Sequence, residues 1–123
     1  MADRKPKWPL KELKAAAESV GIELGKARAL DVLLVHVDTM ADAIRLTEQL
    51  IASLEEVHFV GTKVLDPPLA GEYDEYVRPL TDSLVQNFAL DPGDWYLGLK
   101  FRGADVSVFC ISVHPSTKPG GKR

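Results

Sequence analysis

The chain has 123 residues, 46% of them hydrophobic and 27% charged, which is the size and make-up of one globular domain with a modest core. No run approaches the ~20 apolar residues of a membrane helix, Met1–Lys7 leads into no apolar signal core, and the single cysteine, Cys110, excludes an internal disulfide, so the expected location is the cytoplasm. The net charge of −3 hides an acidic body, with sixteen acidic and seven basic side chains over residues 15–114, between basic ends; any face for nucleic acid must therefore be local rather than general.

In chain order, residues 1–8 form a basic lead (Arg4, Lys5, Lys7). Residues 9–20 read as a helix, with Pro9 in the first turn, Leu10, Leu13, Ala17 and Val20 on one face and Gly21 at its end. The run Ala29 to Val37 stays ambiguous: its β-branched content favours a strand, while its length permits a helix. Residues 40–54 are the clearest helix, opened by Thr39 with Asp42 three residues on, and Met40, Ile44, Thr47, Leu50, Ile51 and Leu54 make its predicted buried stripe. Val57–Leu65 reads as a strand that stops at the turn segment Asp66–Gly71. Tyr73–Val77 is a short aromatic strand and Leu80–Leu90 a short helical turn. Residues 94–113 read as a hairpin, because Trp95, Leu97, Leu99 and Phe101 alternate with Tyr96, Gly98 and Lys100 before Val106–Val113. The expected architecture is α+β: a single domain over 9–114 in which two to three N-terminal helices pack on a small antiparallel sheet that ends in a C-terminal hairpin. A basic tail, 115–123, has too few apolar residues to order itself and reads as disordered.

Several segments together resemble one known family. Arg4-Lys5-Pro6-Lys7-Trp8-Pro9-Leu10 before a Lys-rich helix is similar to the start of the motility quorum-sensing regulator (MqsR) toxins. Ile51 to Leu54 followed by Glu55-Glu56-Val57-His58-Phe59, then Tyr73-Asp74-Glu75-Tyr76-Val77-Arg78-Pro79, then the hairpin from Tyr96 to Val106, resemble further motifs of that family in the same order. The resemblance implies a RelE-like fold and the toxin of a type II toxin–antitoxin pair. Such a protein would cleave messenger RNA without a metal or other cofactor and would be neutralised by a cognate antitoxin protein. That chemistry needs a base for the 2′-hydroxyl, a positive group for the phosphorane and an acid for the 5′-oxygen.

The same resemblance nominates Lys63, Tyr76, Arg78 and His114. Gly61 stands where the family has its catalytic lysine, and Lys63, two residues on, keeps the same strand face. Tyr76 adjoins Val77, which takes the place of the family tyrosine. Arg78 matches an Arg-Pro pair, and His114 replaces a lysine with a residue type that exchanges protons near neutrality. Each has a plain alternative: Lys63 as a solvated strand residue, Arg78 as a surface partner of Asp74 or Glu75, Tyr76 as core, His114 as an exposed strand end. His36 reads as a core histidine, Cys110 as a small buried hydrophobe, and the acidic pairs Glu55-Glu56 and Asp74-Glu75 as solvated. The three histidines have no metal-site spacing. The competing reading keeps the fold and drops the enzyme, leaving a catalytically inert RelE-like module that binds a protein partner.

Overall fold

The structure, a computed structural model, describes residues 6–25, 27–65 and 71–116. Most of the lead, the turn segment 66–70 and the tail from residue 117 lie outside the described residues.

Helix α1 runs Leu10–Ser19. Pro9 caps it with its fixed φ of −57°, and its carbonyl accepts the N–H of Glu12 and Leu13. Leu10, Leu13, Ala16 and Ala17 are buried, whereas Val20, expected on that face, lies past the helix and is exposed. Gly21, at φ 115°, turns the chain into β1, Ile22–Leu24. Three residues are too few to show alternation, and nothing in the residue pattern signals this strand. The ambiguous run resolves as helix α2, Ala27–Leu34. Leu33 and Val37 are buried while Val35 is 78% exposed, which is the one-sided burial of a helical turn rather than of a strand. His36 is exposed and meets Trp95 edge-on at 5.4 Å, so it is a rim group and not the core histidine expected.

Helix α3 spans Met40–Ala52, and the Thr39 hydroxyl accepts the Asp42 N–H at 3.0 Å. Its buried line is rotated from the predicted stripe. Small Ala43 and Leu46 point inwards with Thr47, Leu50 and Ile51, and Met40 is left 57% exposed. A 3₁₀ turn, Glu56–His58, leads into β2, Phe59–Leu65, followed by β3, Gly71–Pro79. Thr81 caps the short α4, Asp82–Phe88, and β4 (Asp94–Lys100) and β5 (Val108–Pro115) complete the chain. Pro115, placed in the tail by the sequence, is the last residue of β5, and Ser116 still bonds Asp94.

The fold is α+β, but the sheet is mixed. Its order is β1-β5-β4-β3-β2, antiparallel from β5 to β2, with β1 added parallel to β5. The chain between β1 and β5 carries three helices and three strands, so β1 reaches its place by a crossover and not by a hairpin. All four helices contribute to one hydrophobic cluster against one sheet face, where Tyr76, Trp95, Leu97, Leu99, Val108, Cys110 and Val113 lie. The side chains of the other face stay outside this cluster; we call it the open face.

The lead is fastened to the helix-covered side by Asp74. This fully buried carboxylate accepts the Lys7 N–H (3.0 Å), the Trp8 N–H (3.1 Å) and the Thr62 hydroxyl (2.6 Å). Three donors offset the cost of burying the charge. Asp74 is thus a structural anchor and not the solvated residue expected. Asp74→Ala should leave these donors unpaired and cost about 3 kcal/mol, read as a lowered urea midpoint with the slope retained.

Candidate functional site

Successive strand residues point to opposite faces, so register decides which candidates meet. Lys63 lies opposite Tyr73, Glu75 lies between Gly61 on β2 and Gly98 on β4, and Tyr96 lies opposite His114. All of these are on the open face. The two glycines place no side chain beside Glu75. Across that space Lys63 Nζ comes within 3.5 Å of Glu75 Oε2, and the Tyr96 hydroxyl donates to the same oxygen at 2.5 Å. Tyr96 in turn stacks on the His114 imidazole, with centroids 5.1 Å apart and planes at 28°. His114 Nδ1 lies 2.8 Å from the Pro115 carbonyl, which can only accept, so Nδ1 carries the hydrogen and Nε2 remains to gain or lose a proton.

A bulge in β5 packs this face. Gly98 pairs with Ser112 and Leu99 with Cys110, so Ile111 is the extra residue. Ile111 and Tyr73 close over Gly98, where a Cβ would stand 2.8 Å from Ile111 Cγ2 and 2.9 Å from Tyr73 Cε2. Glu75 is consequently only 7% exposed although no helix covers it. Burial raises the Tyr96 phenol above its ordinary range, and the bond to Glu75 and the neighbouring Tyr73 hydroxyl raise it further. Tyr96 therefore stays protonated at neutral pH.

Tyr76 and Arg78 lie on the other face, so the four nominated residues do not form one constellation. Tyr76 is fully buried, edge-on to Phe59 at 5.6 Å, and its hydroxyl has no hydrogen-bond partner among the described residues. Burial, with the charges of Asp74 and Glu56, pushes its ionisation well up. Arg78 Nη1 donates to the Ser53 carbonyl and Nε to the Pro79 carbonyl, each at 2.6 Å. It caps the carboxyl end of α3, where a cation opposes the helix dipole, and it pairs with neither Asp74 nor Glu75. Lys63 and His114 are brought to the same face, joined by two residues that were not nominated. Glu75, expected to be solvated, has its signal in the pair of glycines that flank it, visible only once the register is known.

Among the described residues no group of three or more His, Cys, Asp or Glu side chains is placed to hold a metal ion. Cys110 is fully buried, and burial raises its thiol far above the ordinary range, which makes it inert. No described helix is long and apolar enough to cross a membrane.

Arg78→Ala should cost about 1.5–3 kcal/mol in urea denaturation by freeing the end of α3, with the open face unchanged. His58, in the 3₁₀ turn, accepts the Glu55 N–H on Nδ1 at 2.9 Å. Burial and the Arg78 charge lower its pKa from 6.5, against a raising contribution from Glu55. Below 6.5 the unfolded chain then binds the proton more readily, so stability falls as pH drops through that value and is unaffected above it. His58→Gln, which can still accept the Glu55 N–H, should flatten the decline of melting temperature between about pH 6.5 and 5.

No protein-family model, no curated protein and no solved structure matches this chain.

Proposed function

We propose that the chain is a ribonuclease toxin of a type II toxin–antitoxin pair, cleaving messenger RNA on the open sheet face without a metal ion, in the cytoplasm, and held inactive by a cognate antitoxin protein. The observation that carries this reading is the stacked Tyr96–His114 pair beside the Lys63–Glu75 ion pair. An imidazole, a phenol and an ammonium group stand together on a face that no helix covers among the described residues. Three of the seven basic residues of the acidic body, Lys63, Lys100 and Arg102, belong to this face, where Lys63 pairs with Glu75 and Arg102 with Glu23, so a phosphate would have to draw the Lys63 ammonium from its carboxylate partner.

In this reading Lys63 holds the scissile phosphate and His114, through Nε2, protonates the departing 5′-oxygen. Tyr96, and not the nominated Tyr76, would handle the attacking 2′-hydroxyl in this reading. The commitment of Arg78 to Ser53, and of Glu75 to Lys63, favours the second reading, a catalytically inert module that binds a protein partner.

Cleavage of a mixed-sequence RNA by purified, antitoxin-free protein in a chelator distinguishes the two. Under the ribonuclease reading, His114→Ala should lower kcat by about 100-fold or more, and the Lys63→Ala, His114→Ala double variant should be inactive. Arg78→Ala should keep its activity per folded molecule. Absence of cleavage by folded protein would establish the inert module instead.

A further inference from the structure

Glu75 is the most unusual charged group on the open face. A carboxylate that is 7% exposed is costly unless it is paired, and here one oxygen accepts the phenol hydrogen and lies 3.5 Å from an ammonium. It is too deeply buried to reach an RNA strand itself. Tyr96, by contrast, is only half-buried and lies against the imidazole. Tyr96 cannot act as a base by ionising, since its surroundings hold the proton on. Its oxygen, having given its hydrogen to Glu75, still has lone pairs with which to accept another.

We infer that Glu75 is a positioning residue that turns Tyr96 into a proton relay: the 2′-hydroxyl proton of RNA passes to the Tyr96 oxygen while the Tyr96 proton passes to Glu75. This inference rests on the ribonuclease reading above. As the 2′-O–H bond breaks, the oxygen bonds to phosphorus and the bond from phosphorus to the 5′-oxygen breaks. The 5′-oxygen takes a proton from His114 Nε2. The products are a 2′,3′-cyclic phosphate and a 5′-hydroxyl, with Glu75 left protonated and His114 neutral. Exchange with water returns both to their starting forms. Lys63 holds the carboxylate in place between turnovers by standing 3.5 Å from the accepting oxygen. Gly61 and Gly98, which leave no side chain beside the carboxylate, make the geometry possible.

Single-turnover and steady-state cleavage of a single-stranded RNA of mixed sequence tests the relay. Glu75→Gln should lower kcat by about 100-fold with KM unchanged, Tyr96→Phe should match it, and the double variant should be no slower than either single one. Glu75→Asp, which retains the charge, should recover part of the rate. It also carries the test if the glutamine variant does not fold. A purely packing role for Glu75 would instead move the melting temperature and leave kcat per folded molecule alone. If wild-type protein cleaves while Glu75→Gln and Glu75→Asp keep its kcat, or the two single losses multiply in the double variant, the relay is overturned and the ribonuclease stands. If folded wild-type protein does not cleave, the ribonuclease reading and the relay fall together.

Discussion

Among the described residues helices cover one side of this sheet and not the other, and most of the molecule depends on that asymmetry. With a side-chain period of two, every strand residue belongs either to the helix-packed core or to the open face, and a shift of one residue exchanges the two sets. On β3 this divides neighbours with opposite tasks. Asp74, Tyr76 and Arg78 serve the fold by fastening the lead, filling the core and capping α3. Tyr73 and Glu75, between and beside them, build the candidate site. One strand of nine residues thus holds the helical layer with one edge of its pleat and presents chemistry with the other.

The period also explains which parts of the structure were legible in the sequence. Helices α1 and α3 and strands β2 and β4 show their patterns over seven or more residues, and they stand close to where composition puts them. Strand β1 is too short to carry a pattern and is defined by its pairing with β5, almost ninety residues later. The α+β class followed from the order of elements, while the parallel edge did not. The run at 29–37 contains apolar residues suited to either structure, and only its contacts choose a helix, with Leu33 and Val37 inward and Val35 outward.

The candidate site was half legible for a related reason. Lys63 and His114 were found through motif position, and both sit on the open face. Tyr76 and Arg78 were found the same way and face the helices, because a motif read along the chain does not say to which side each residue points. The bulges sharpen the difficulty. Phe59 opposes Tyr76 and Gly61 opposes Glu75, so an extra residue, Val60, lets Phe59 enter the core and Gly61 face outward although they are two apart. On β5, Ile111 does the same for Cys110 and Val113, which both reach the core although they are an odd number apart. Simple alternation fails at both places; the irregularity in β2 puts Gly61 beside Glu75, whereas Gly98 reaches it through the regular β3–β4 register.

The fastening of the lead has a consequence for how this chain tolerates change. Asp74 holds Lys7 and Trp8 by their main-chain N–H groups, which all residues but proline possess. Apart from the half-exposed ion pair of Lys7 with Glu72, side chains at these positions are therefore free to drift without loosening the attachment, while the receiving position, which must offer two acceptor oxygens from within the core, is not. Variation across natural or engineered versions of this segment would thus be asymmetric: permissive along the strap, except for proline, and strict at the single acidic residue that receives it.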